Sequence, residues 1–226
     1  MKKIFTLIAV AAMALSAQAQ RISWTADDAA DAGTLDGKEF ASGDFKLTIT
    51  DTEGKVAIDT NNAYFGTADA NEKFTARLKS GGKSSSKNTL KLTIPTAGTL
   101  KVYVRTGSNS KTDRNVVLTQ NEVALYDAIV KEDQAVIVKG LDQSDPDKET
   151  NIYPVISVTV EAGEVIVTYP VGSMNFYCFE LSGTSTGINT VKAASENRVR
   201  YNLAGQKVAE GYKGVVIENG RKVVIK

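Results

Sequence analysis

The chain has 226 residues, 27 Lys and Arg against 26 Asp and Glu, no histidine and one cysteine. The near-balance of charge leaves no global attraction to nucleic acid or to an anionic bilayer. The missing histidine excludes Ser-His and Cys-His nucleophilic machinery and argues against a typical zinc site, and a lone cysteine excludes an internal disulfide.

Residues 1–19, MKKIFTLIAVAAMALSAQA, have the build of a secretory signal peptide. Lys2 and Lys3 supply the basic start, Ile4 to Leu15 the apolar run, and Ala17-Gln18-Ala19 the small-x-small cleavage pattern. The run is shorter than the ~20 apolar residues of a spanning helix, and no later stretch approaches that length. Cleavage would leave a mature chain from Gln20, without Lys2 and Lys3, and move the formal charge from +1 to −1. The expectation is a secreted or surface-attached protein that passes the periplasm, with no membrane insertion and no nucleic-acid partner.

From residue 20 to 181 the pattern is alternation, not helical periodicity. Phe45, Leu47 and Ile49 alternate with polar residues, as do Phe74, Ala76 and Leu78, then Leu90, Leu92 and Ile94, then Leu100, Val102 and Val104. Ile156, Val158 and Val160 follow, then Val165, Val167 and Tyr169. Period-2 runs bury one face and wet the other. Glycine and proline divide them, and no convincing amphipathic helix is visible. The fold class expected is all-β, an antiparallel β-sandwich of jelly-roll-like form. TIPTAGTLKVYV reads as strand, tight reversal and returning strand, and VTVEAGEVIVTY does the same around Ala162-Gly163. In NFYCFEL, strict alternation puts Asn175, Tyr177, Phe179 and Leu181 on one face and Phe176, Cys178 and Glu180 on the other. Cys178 is expected to be a small, partly buried filler.

Several side chains in this region suit a ligand. Aromatic faces stack on the C–H side of sugar rings, and Trp24, Tyr64, Tyr153 and Tyr177 are candidate platforms, with core or strand-edge packing as the alternative for each. Arg105 and Arg114 bracket the loop TGSNSKTD; an arginine fork suits the carboxylate of an acidic sugar, unless Asp113 or another carboxylate pins it to the loop instead. The loop SGGKSSSKN, with Lys83 and Lys87, either frames a binding rim or is a long hairpin connection. Calcium is the one cofactor the acidic loops admit: Asp142, Asp145, Asp147 and Glu149 in DQSDPDKE, or Asp27, Asp28 and Asp31 in DDAAD, although neither matches the EF-hand spacing. No pair of carboxylates is marked by context for glycoside hydrolysis, and no base stands out for a lyase. The expectation is a non-catalytic module.

After Leu181, residues 182–197 are small, polar and weakly patterned, as a linker is. Residues 198–226 return to short β-like runs, with Asn219-Gly220 as a hairpin signal. This pattern suits a self-contained mini-sandwich of three or four strands, the alternative being extra strands for the main domain.

The tail resembles the type A C-terminal sorting domain of the type IX secretion system of Bacteroidota. The residues behind the resemblance run from Tyr201 through Gly205, Gln206 and Val208, then Lys213-Gly214-Val215-Val216-Ile217, then Gly220 to Lys226. It implies passage through the outer membrane by the type IX machinery, usually with removal of the tail, and then release or attachment at the cell surface. The segments LKSGGKSSSKNTLKLTIPTAGTLKVYVRTGSNSKTDRNVVLTQ and YPVISVTVEAGEVIVTYPVGSMNFYCFEL resemble the non-catalytic β-sandwich modules appended to secreted pectate lyases. That resemblance implies an extracellular jelly-roll-like module binding polysaccharide or glycan, with a surface adhesin or a small polysaccharide lyase as the other readings.

Overall fold

The computed structural model describes residues 19–141, 145–183, 200–202, 208, 213–218 and 221–225. The signal segment 1–18, most of the linker and the remaining tail residues lie outside them. Chain contacts divide the protein into two units, Met1–Ser185 and Thr186–Lys226.

The first unit is a two-sheet sandwich. Its strands are β1 (Gln20–Ser23), β2 (Glu39–Ser42), β3 (Phe45–Asp51), β4 (Ala57–Gly66), β5 (Asn71–Lys79), β6 (Asn88–Ile94), β7 (Gly98–Thr106), β8 (Asn115–Gln120) and β9 (Val123–Ile129), followed by β10 (Val136–Lys139), β11 (Glu149–Tyr153), β12 (Ile156–Val160), β13 (Gly163–Thr168) and β14 (Met174–Gly183). One sheet has the order β10-β11-β4-β5-β14-β7-β12, with β1 also on β14; the other has the order β2-β3-β6-β13-β8-β9. All pairings are antiparallel except β11 with β4. Every alternating run foreseen from the sequence is a strand, because each has an apolar face that the opposite sheet covers. Phe45, Leu47, Ile49, Leu90, Leu92, Val165 and Val167 of one sheet meet Leu78, Leu100, Val102, Phe176 and Phe179 of the other, all fully buried. Each such side chain contributes roughly 1.5–3 kcal/mol on leaving water.

Two expected hairpins are corners instead. β6 and β7 lie in different sheets, as do β12 and β13. The ribbon β6–β7 runs antiparallel to β12–β13 and bends with it from sheet to sheet: Gly98 faces Val160 and Ile94 faces Gly163. That double bend is the jelly-roll feature. A corner and a hairpin have the same period-2 pattern, since both keep the apolar sides toward one core.

The serine-rich connection between β5 and β6 also crosses sheets, so it is not a hairpin connection. Buried Tyr169 holds it: its hydroxyl donates to Asn88 Oδ1 at 2.6 Å, and Asn88 Nδ2 donates to the Ser80 carbonyl. The segment DDAAD forms a one-turn helix, α1 (Ala26–Ala30), where no helix was expected. Thr25 caps it and Asp28 completes the capping box.

Strand β14 departs from strict alternation. Phe176 faces Val104 and Cys178 faces Tyr103, so Tyr177 is one residue too many, a β-bulge. Phe176 and Phe179 therefore both enter the main core, stacked at 5.6 Å, while Tyr177 and Cys178 belong to a second cluster with Tyr103, Phe65, Phe74, Tyr153 and Ala63. Tyr177 does not share a face with Phe179 as alternation required. β5 pairs with β14 only at Asn175 and Phe176, and β1 takes over from Cys178 to Leu181. β4 carries its own bulge between Thr60 and Ala63. Before it, Ile58 and Leu78 pack in the main core; beyond it, Ala63, Phe65 and Phe74 of the same hairpin face pack on the outer side of β7 and β14. The hairpin tip closes at Gly66, where φ is +124° and a Cβ would meet the Ala70 carbonyl at 2.2 Å.

In the second unit, β15 (Arg200–Asn202), β16 (Gly214–Glu218) and β17 (Arg221–Ile225) form one antiparallel sheet. The expected small sandwich is, among the described residues, a single three-stranded sheet. Pairing of Glu218 with Arg221 leaves two residues for the reversal, the length the Asn219-Gly220 signal implied. β14 runs to Gly183, two residues past the expected domain end.

Tyr169→Phe should leave Asn88 Oδ1 buried without its donor and destabilise the fold by about 1–3 kcal/mol. A urea melt followed by tryptophan fluorescence measures this, since Trp24 is the chain's one tryptophan.

Candidate functional site

The outer face of the eight-stranded sheet holds a cleft of about 320 Å³ where β4, β5, β7 and β11 meet. Asn62 and Tyr64 come from β4, Lys73 from β5 and Arg105 from β7. Lys148, Glu149, Asn151 and Tyr153 come from β11 and its approach. Antiparallel register sets Lys73 beside Tyr64, and the parallel pairing of β11 sets Ile152 beside Tyr64 and Tyr153 beside Phe65.

Each wall of the cleft has a cation over an aromatic ring. Lys73 Nζ is 5.8 Å from the Tyr64 ring centre, and the Arg105 guanidinium is 4.7 Å from that of Tyr153. Arg105 also donates from Nη2 to Glu132, at 3.1 and 3.3 Å to its two oxygens, and to Asn109 Oδ1 at 3.2 Å. The Tyr153 hydroxyl donates to Glu132 Oε1 as well. Glu132 opens a short 3-10 turn, Glu132–Gln134, so one carboxylate ties β7, β11 and that turn together. Arg105 is thus pinned by a carboxylate, and the carboxylate is Glu132, not Asp113. Arg105 Nε is buried with no partner among the described residues.

Three of the six aromatic and arginine candidates line the cleft, Tyr64, Arg105 and Tyr153, although Tyr153 is only 4% exposed and is itself part of the second cluster. The others do not. Trp24 is 3% exposed and packs edge-on against Phe40 and Phe179, so it is a core residue. β1, just before it, docks on β14. Tyr177 is fully buried beneath the hairpin, its hydroxyl on Asn61 Oδ1 at 2.6 Å, and it presents no platform. Arg114 clamps the loop before β14, donating to the Ser173 carbonyl and hydroxyl at 2.8 and 2.6 Å, and lies outside the cleft.

Of the calcium candidates, Asp142 lies outside the described residues, Asp145 caps the turn at Asp147, and Glu149 lies 3.8 Å from Lys139. In the earlier segment Asp28 is engaged in the helix cap. Among the described residues no group of three or more acidic or thiol side chains is placed to hold a metal ion. Of the tail residues, Val208, Lys213 and Gly214 are described, with Lys213 exposed and Gly214 opening β16 at φ +136°; Gly205, Gln206, Gly220 and Lys226 lie outside. No helix among the described residues is long and apolar enough to cross a membrane.

No protein-family model matches the chain, and no curated protein does. Solved structures align with it at low identity. A chain solved in work on how the Ruminococcus flavefaciens cellulosome reflects an expansion in glycan recognition is 13% identical, with TM-score 0.36, over 74% of this chain and 96% of that one. The K1 cleaved adhesin domain of Lys-gingipain from Porphyromonas gingivalis W83 is 12% identical, with TM-score 0.38, over 74% and 98%. The catalytic unit of a GH87 alpha-1,3-glucanase from Streptomyces thermodiastaticus is 12% identical, with TM-score 0.34, over 62% and 26%. None is similar enough to transfer a residue's role.

The sequence reading missed Lys73, Asn62, Lys148 and Glu132. Lys73 was within reach, because counting back along both strands from the Gly66 turn pairs it with Tyr64. Glu132 had no signal: it is 27 residues from Arg105 and meets it only through the fold.

Burial raises three tyrosines of this face, Tyr103, Tyr153 and Tyr177. Tyr153 is pushed up to about 12, first by desolvation and then by its bond to Glu132. Tyr103 and Tyr177 are also raised, chiefly by burial. An unfolded tyrosine titrates near 10. Below pH 10 both states hold the proton and the contribution is complete; between about 10 and 12 only the unfolded chain ionises, so stability falls as pH rises. A native-state titration followed by tyrosinate absorbance should therefore leave part of the eight tyrosines silent until the chain unfolds. Full titration near pH 10 with the sheet spectrum intact would contradict this burial.

Proposed function

We propose that this is an exported, non-catalytic glycan-binding protein whose cleft between β4, β5, β7 and β11 receives an acidic sugar. The observation behind the reading is the meeting of Tyr64, Arg105 and Tyr153, far apart in sequence, with Lys73 and Lys148 around one open cleft. With Glu132 on Arg105 counted, the three cations Lys73, Arg105 and Lys148 still exceed the two carboxylates Glu132 and Glu149, and this favours a uronate-type carboxylate. Tyr64 offers a half-buried ring, and Asn62, Thr150 and Asn151 offer partners for sugar hydroxyls. A general base works best with a pKa near the operating pH. Tyr153 is moved the other way and engages Glu132, which supports binding over proton abstraction.

Calorimetry with polygalacturonate oligosaccharides and the full chain tests this. Wild type should bind saturably without releasing unsaturated product, and Lys73→Glu should weaken binding about tenfold, or ~1.4 kcal/mol. Lys73 is exposed, so the variant folds normally. No binding by wild type, or equal binding by the variant, would remove the assignment.

A second reading, adhesion through protein contacts, draws on Val123, Ile129, Val136 and Ile137, which are 43–62% exposed on the edge strands β9 and β10. Absence of glycan binding by the wild type would favour it.

For the tail, we infer a type IX sorting domain. Support comes from its self-paired three-stranded sheet and from glycine at the positive-φ start of β16. In a Bacteroidota host, a chain lacking residues 198–226 should accumulate inside the cell envelope while the full chain reaches the surface or medium. Equal export of both, measured by fractionation, would refute the inference.

A further inference from the structure

A second cleft, of about 440 Å³, opens on the same sheet face, on the other flank of the β4–β5 hairpin tip. Phe65, Tyr103 and Val155 give it an apolar floor and wall, and Asn71, Glu72 and Lys101 form its polar rim. The rim is held rigidly from below. Glu180, 8% exposed, accepts from Lys101 Nζ at 2.9 Å and from the Tyr103 hydroxyl at 3.2 Å, and pairs ionically with Arg21 Nε at 3.2 Å. Arg21 Nη2 in turn holds Glu72 at 2.7 Å. Two cations and two carboxylates make this network neutral, so the cleft has no net pull on an anion. It retains fixed planar acceptors and a donor around an apolar floor, the arrangement that an uncharged, hydroxyl-rich ring satisfies.

We propose that this second cleft is a subsite for a neutral sugar. The proposal rests on the reading of the outer face as a glycan-binding surface. It divides that surface into an acid-accepting cleft at Arg105 and a neutral-accepting cleft at Lys101. Arg105, Tyr103 and Lys101 alternate outward along β7, so the two clefts lie about 13 Å apart by strand rise. That span is about two to three linked pyranose rings, which suits a heteropolysaccharide with charged and uncharged residues in one chain.

The test uses the full chain labelled for amide NMR, with uncharged tetrasaccharides of glucose, galactose and mannose as one set of probes and trigalacturonate as the other. A neutral probe should shift the amides of Ala70, Asn71, Lys101 and Val155 and leave those of Lys148 to Asn151 in place. Ala70 is an exposed lining residue, and Ala70→Trp should fill the cleft. Neutral affinity should then fall about tenfold, with trigalacturonate affinity within about twofold of wild type. If no neutral probe shifts these amides in wild type, or if the shifts centre on Lys148 to Asn151, the second subsite does not exist. Neutral binding that Ala70→Trp abolishes would uphold it even if trigalacturonate fails to bind, an outcome that would overturn only the acidic assignment.

Discussion

The outer face of this sandwich depends on one extra residue in β14. The bulge at Tyr177 lets Phe176 and Phe179 both enter the main core, and turns Tyr177 and Cys178 outward against Tyr103. Without that shift the outer side of β7 and β14 would lack the apolar surface on which Phe65 and Phe74 lie. Their rings meet Tyr103 and Tyr177 at 5.1–6.2 Å, in edge-on and tilted contacts. Such pairs add about 0.5–1.5 kcal/mol each beyond area burial. This second core fixes the β4–β5 tip over the sheet, and the two clefts are the space left on either side of it.

Charge on this face is arranged around two carboxylates. Glu132 holds Arg105 and Tyr153 at one end, and Glu180 holds Lys101, Tyr103 and Arg21 at the other. Each brings together strands remote in sequence and limits where its cations can point. A half-buried guanidinium held by a fixed carboxylate loses less side-chain entropy when a ligand arrives, which is how packing can prepare a site for binding. Burial also accounts for the raised Cys178 thiol, at about 11, which makes that cysteine a packing residue.

Much of the sandwich was legible because alternation reports burial directly. Phe45, Leu47 and Ile49, or Leu90, Leu92 and Ile94, have one covered face whichever strand covers it. Partner choice was not legible. The β6–β7 and β12–β13 connections look like hairpins locally and prove to be corners, since only the pairing of both ribbons decides between the two. The site was legible in part, through residue types that suit sugars: Tyr64, Arg105 and Tyr153 line one cleft, Tyr153 from within the second core, while Trp24 and Tyr177 are drawn into cores and line no part of it.

By itself, then, the sequence determined the all-β class, the positions of β3, β5, β6, β7, β12 and β13 and the apolar side of each, because these follow from side-chain period and turn residues near at hand. It also marked a compositional break after residue 181 and a tail with its own turns. Tertiary structure decided which strands lie side by side, where β14 gains its extra residue, and which aromatic rings stay at the surface. Those outcomes depend on contacts between segments tens of residues apart, such as Arg105 with Glu132 and Arg21 with Glu180, and no local pattern encodes them.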